Sequence, residues 1–233
     1  MKKQLFVSII LSLVMANVYG QKVIFHLKSG ANVLYYDSEV SEITFEADEH
    51  GYVDLGLSVK WATCNLGAST PTEYGNYYAW GETSTKNEYN QSDYAYYNRS
   101  TSKYTDIGTD ISGTAYDAAH VNLGGNWRMP TYAEWQELKN TDNCSWEWTQ
   151  VDGVKGYKVT SKKAGYTDKC IFLPPAGYRN GSSLYYSAQG YYWSSTLDFM
   201  GPSKGGSVHF NSSELNMSAH YRYYGLSVRP VTE

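Results

Sequence analysis

The sequence predicts an α+β fold of small twisted antiparallel sheets, one or two helices and long loops, preceded by a short β unit. Three observations carry that expectation. Apolar residues recur with a period of two in short runs bounded by turn residues, as in Ser207-Val208-His209-Phe210. One segment, starting at Thr131, opens on a helix start signal. Stretches rich in Tyr, Ser, Thr and Asn follow neither period, the longest from about Asn87 to Thr114, and these read as surface loops.

The chain opens with Lys2 and Lys3, an apolar run from Leu5 to Ala16, then Val18 and Gly20 before Gln21. A charged start, a short apolar stretch and such an exit are the parts of a cleavable export leader, so residues 1–20 are expected to be removed as the protein leaves the cytoplasm. The run is shorter than the roughly 20 apolar residues a bilayer span needs, and no later segment has that character, so no membrane span is expected. No Cys follows Gly20, which argues against a lipid anchor and for a secreted, periplasmic or cell-surface location. Residues 21–50 form a second unit. Val23, Phe25 and Leu27 alternate up to Ser29-Gly30, and Val33-Leu34-Tyr35, Ile43 and Phe45 follow, which predicts two or three short strands with a Gly turn. The polar stretch from Ala47 to Gly51 suits a boundary.

Residues 51–233 make the main domain. Val53, Leu55, Leu57, Val59 and Trp61 share one parity, which predicts a single strand with those side chains on one face. A short helix is expected over Ala115 to His120. At Thr131-Tyr132-Ala133-Glu134 the hydroxyl and the carboxylate can each satisfy an exposed N–H of a first helical turn. That helix places Trp135 and Leu138 on one face and ends near Asn140. After Cys144 the pattern is strand and turn. Trp146 and Trp148 alternate, Asp152-Gly153 turns the chain before Tyr157-Lys158-Val159, Ile171-Phe172-Leu173 stops at Pro174-Pro175, Tyr191-Tyr192-Trp193 follows Gly190, and Leu226-Ser227-Val228 forms the closing strand.

The formal charge is −4, and loss of Lys2 and Lys3 leaves seventeen basic residues against twenty-three acidic, a net −6. An acidic surface repels phosphate backbones, so nucleic acid is not an expected partner. Charged residues are only 18% of the chain while Tyr numbers 24, so aromatic rings must supply both core and surface. Cys64, Cys144 and Cys170 allow one disulfide, of open pairing, match no zinc spacing, and read most simply as small buried residues. His26, His50, His120, His209 and His220 show no metal-ligand spacing, and no metal or other cofactor is expected.

A set of phrases in order carries a family resemblance: Val53 to Ala62, Tyr78 to Glu82, Gly125 to Thr131, Glu134-Trp135, Leu173 to Arg179, Tyr192 to Ser195 and Ser227 to Val231. Together they resemble the Fibrobacter succinogenes major paralogous domain and, more distantly, the fold of C-type lectins and formylglycine-generating enzymes. The resemblance implies a C-type-lectin-like domain with its ends close together, a small central sheet and irregular loops. Within it Trp127 is expected to fill the core beside the helix, Pro130 to straighten the entry, Trp135 to dock the helix on a sheet, and Arg128 to pair with a carboxylate or carbonyls.

Those enzymes oxidise a cysteine with a copper-binding pair of cysteines near the end of the domain. Here Cys170 is the last cysteine, so the resemblance implies no catalytic residues. The calcium-binding lectins carry Glu-Pro-Asn or Gln-Pro-Asp and Trp-Asn-Asp, and this chain has none of these, leaving only loop carboxylates such as Asp106 and Asp110 for a calcium ion.

The unusual part is the segment from Gly181 to Tyr224. Tyr185, Tyr186, Ser187, Gln189, Tyr191, Asp198, Phe199, Asn216, Ser218, His220, Tyr221, Tyr223 and Tyr224 are expected to form a ligand-binding surface. Tyr presents a large amphipathic ring with few rotors, and Ser and Asn add adaptable hydrogen bonds, the composition of antibody loops. The expected function is recognition of a glycan or protein ligand outside the cytoplasm. The alternatives are a structural or adhesive surface protein, a degenerate relative of the formylglycine-generating enzymes, and a hypervariable binder, since the layout also resembles the variable proteins of diversity-generating retroelements.

Overall fold

The computed structural model describes residues 51–233 throughout and, before them, the backbone of five strands. The chain divides into two units, residues 1–49 and 50–233. In the first, β1 (Lys3–Ser8) runs parallel to β5 (Val40–Glu46), and β2 (Asn17–Tyr19), β3 (Lys22–His26) and β4 (Asn32–Tyr36) form an antiparallel sheet. The strands expected around Val23, Leu34 and Ile43 are thus β3, β4 and β5. Of the expected leader, residues 3–8 and 17–19 lie in β1 and β2; its remainder, the Ser29-Gly30 turn and the boundary stretch at 47–50 lie outside the described residues.

The second unit consists of small antiparallel sheets around two helices. β6 (Tyr52–Val53) pairs with β7 (Lys60–Ala62), which pairs on its other side with β18 (Val231–Thr232), so the two ends of the unit share one sheet. The single strand predicted over residues 53–61 is instead a hairpin. Gly56, at φ 69°, turns the chain, and the Asp54 carboxylate accepts the Gly56 N–H at 2.8 Å. Leu55, Val59 and Trp61 still reach the core, because a loop can deliver alternate side chains inward as a strand does.

The predicted surface loop over 87–114 carries the short hairpin β8 (Tyr97–Asn98) and β9 (Lys103–Tyr104), and it buries Tyr89, Tyr94, Ile107 and Ile111. It is therefore partly core. Each anchor is a single side chain between solvated turns, which leaves no period to detect. Helix α1 spans Ala118–Leu123, three residues later than predicted at its start. Its N-cap is Asp117, whose buried carboxylate accepts the N–H groups of Ala119, His120, Gly113 and Met129. Helix α2 spans Tyr132–Lys139 with the predicted capping box formed and Asn140 at its end.

Strands β10 (Cys144–Val151), β11 (Val154–Ser161) and β12 (Cys170–Leu173) form one sheet, and β13 (Tyr178–Asn180) pairs with β14 (Ser183–Tyr185). The β10–β11 turn uses Asp152 at φ 48° and Gly153 at φ 83°, the left-handed pair that a two-residue hairpin requires. Strands β15 (Gly190–Leu197), β16 (Lys204–Phe210) and β17 (Leu215–Tyr221) form a meander with β17 at an edge. The segment Leu226-Ser227-Val228 is not a regular strand. It joins Tyr78 and Tyr192 by single bridges, and β18 closes the chain.

Strand β15 divides the core. Tyr192 enters a cluster with Trp61, Trp135, Leu138, Val208 and Phe210, whereas Tyr191 and Trp193 enter one with Tyr78, Trp80, Ile111 and Leu226. The indole N–H groups of Trp80, Trp135 and Trp193 donate to the carbonyls of Ser194, Trp193 and Tyr78 at 2.9, 3.1 and 2.7 Å. These are residues of the resemblance phrases, and here they are scaffold. Trp127 is half-buried rather than in the core. Arg128 pairs with Glu134 through two bonds, at 2.9 and 2.6 Å.

Candidate recognition surface

The β13–β14 hairpin sets Tyr178 opposite Tyr185, and their rings stack at 5.7 Å with 19° between planes. Tyr224 stacks on Tyr178 at 5.0 Å, while Tyr186 and Tyr191 approach the same ring at 5.9 and 5.0 Å. From Tyr224 the cluster extends to Tyr221 and Tyr223, which stack on each other at 5.3 Å. Tyr178 is thus the hub of one continuous aromatic surface. Tyr186, 58% exposed, and Tyr185 and Tyr221, 44% and 41% exposed, are its accessible rings.

Two imidazoles floor this surface. His209 stacks on Tyr191 at 4.6 Å, and His220 meets the Tyr191 ring edge-on at 5.1 Å. Gln189 Oε1 accepts the Tyr191 hydroxyl at 2.7 Å and lies 2.8 Å from His209 Nε2. An amide oxygen only accepts, so His209 Nε2 carries the proton. His220 Nδ1 lies 2.8 Å from the Ser207 hydroxyl. Burial, with His209 and Lys204 adding to it, pushes His220 down to about 4, and burial also lowers His209, so both rings are neutral at pH 7. Burial pushes the Tyr191 and Tyr223 hydroxyls up to about 12, which keeps them neutral hydrogen-bonding groups.

Of the residues predicted for the site, Tyr185, Tyr186, Gln189, Tyr191, His220, Tyr221, Tyr223 and Tyr224 come together here. Ser187 is exposed in the adjoining turn, and Asn216, also exposed, sits opposite His209 in the β16–β17 register. Asp198, Phe199 and Ser218 line a separate groove of about 410 Å³ that includes the start of α2 and the 198–200 loop. Sequence reasoning missed Tyr178, hidden in a phrase assigned to scaffold, and His209, hidden in a strand. The parity of β16 carried the signal for His209: it alternates with Val208 and Phe210, which point into the core.

Cys64 and Cys144 are buried and Cys170 is half-buried, and all three are thiols. Burial pushes Cys144 up to about 11. Among the described residues no three His, Cys, Asp or Glu side chains gather to hold a metal ion, and no helix is long and apolar enough to cross a membrane. The carboxylates of Asp106 and Asp110 accept the N–H groups of Gly108 and Ser112 within their own turns. No protein-family model, curated protein or solved structure matches the chain.

Proposed function

We propose that the chain is an exported, non-catalytic recognition protein that binds a glycan or protein ligand outside the cytoplasm through the Tyr178-centred surface. The observation that carries this reading is Tyr186. It holds φ 51°, a left-handed conformation that costs a bulky residue on the order of 1 kcal/mol or more, and the ring it presents is more than half exposed. The turn closed by the Gln189 N–H on the Tyr186 carbonyl at 2.9 Å, with the Tyr178 and Tyr191 rings beside it, holds this ring at the surface, where a ligand can meet it. Neighbouring stacks hold the exposed rings in place, so little side-chain entropy is lost on binding. Flat Tyr faces suit the C–H faces of sugar rings or apolar side chains, and the hydroxyls suit the ligand's polar edge.

The C-type-lectin-like fold belongs to the same proposal. It is supported by the paired ends of the main unit, β18 on β7, and by the convergence of the resemblance phrases on one buried indole network. Glycan and peptide arrays test the function. The double variant Tyr186→Ala with Tyr221→Ala is expected to lose binding at least about tenfold while melting as the parent does. Undiminished array binding by a folded double variant would sink the proposed surface.

A further inference from the structure

Phe199 and Met200, 92% and 78% exposed, stand at the tip of the loop joining β15 to β16. They are the most exposed large apolar side chains among the described residues, and they help line the groove of about 410 Å³, whose apolar lining also includes Leu197, Met217 and Ala219 and whose polar lining includes Thr196 and Ser218. An apolar knob and a partly apolar hollow therefore lie side by side. The shoulders of the same loop are Asp198 and Lys204, joined by a backbone hydrogen bond from Asp198 N–H to Lys204 C=O at 3.1 Å. Among the described residues neither side chain forms an ion pair, and the Lys204 ammonium rests 5.3 Å from the Tyr221 ring centroid.

We infer that this face pairs with a second copy of the chain about a two-fold axis, Phe199 of each copy entering the groove of the other and Asp198 of each facing Lys204 of the other. A two-fold contact needs a patch complementary to itself, and an apolar knob beside a partly apolar groove, flanked by one acid and one base, meets that condition. The dimer also sets two Tyr178-centred surfaces on one assembly, because Tyr221 adjoins Lys204. That last consequence rests on the proposed recognition function; the dimer itself does not.

Sedimentation equilibrium of the purified full chain, without ligand, tests the pairing. A reversible dimer is expected, with Phe199→Asp weakening it by about a hundredfold and Asp198→Lys or Lys204→Asp each weakening it about tenfold. The double variant Asp198→Lys with Lys204→Asp is expected to recover to within a few-fold of the parent, since it restores opposite charges across the axis. Melting curves check that these exposed substitutions leave the fold intact. A monomer at every concentration up to about 100 μM, well above the Kd of stable dimers, overturns the inference. So does a dimer indifferent to Phe199→Asp, or a charge-reversed double variant that stays as weak as either single one.

Discussion

Arg229 shows how a single side chain can hold distant segments. It is fully buried, and its guanidinium donates to Asn65 Oδ1, the Ala62 carbonyl and the Phe172 carbonyl at 3.0, 2.9 and 2.7 Å. Burial lowers its pKa, yet an arginine stays charged, and three acceptors offset the lost hydration. Arg229→Ala would leave those acceptors dry, and urea denaturation should show a loss of about 3 kcal/mol or more. His220, together with His209, which burial also lowers, contributes to the pH response. Its folded value lies near 4, below the ordinary 6.5, so the unfolded chain binds the extra proton between those limits. Its contribution is complete above about pH 6.5 and is lost as pH falls toward 4. The melting temperature should therefore drop across that interval, and His220→Asn should flatten the drop. Glu134, which burial raises but Arg128 and the Thr131 N–H hold low on balance, adds its own loss only at more acid pH, and Asp117, raised by burial, acts in the opposite sense.

Among the elements, α2 is the one whose ends were written locally. Thr131 Oγ1 accepts the Glu134 N–H at 3.2 Å, and the Glu134 carboxylate accepts the Thr131 N–H at 2.7 Å. Thr131→Ala should cost about 1 kcal/mol in a denaturant midpoint, since one orphan N–H returns to poor solvation. The β10–β11 turn is equally local: Gly153→Ala places a Cβ at φ 83° and should cost about 1 kcal/mol by the same measurement. β15 differs. Its Gly190–Ser195 stretch is buried on both faces, and its stability comes from the two cores it divides.

For the molecule, closure of the main unit depends on its last residues. Val231 is buried against Trp61, and its backbone exchanges hydrogen bonds with Arg128 at 3.0 and 2.9 Å. Deleting residues 230–233 removes β18 and uncovers β7, and should lower stability by about 3 kcal/mol or more from lost apolar burial and ladder bonds. A thermal melt of the truncated chain measures it. An unchanged midpoint would mean that the β18–β7 pairing contributes little.

The capping box, the Asp-Gly hairpin turn and the strands with clean alternation were determined by residues within a few positions of one another. Their physics is local, so α2, β10 to β12 and β16 could be read from the chain, and so could the abundance of Tyr in the segment from Gly181 to Tyr224. Which of those rings meet was decided by tertiary structure. Tyr178 became the hub because a hairpin set it against Tyr185 and because the chain returned, more than forty residues later, to lay Tyr224 on its other side. Asp198 and Phe199 were drawn to a different groove by the β15–β16 loop. Ring stacking and burial act through space without regard to separation along the chain, and no period or short motif records them.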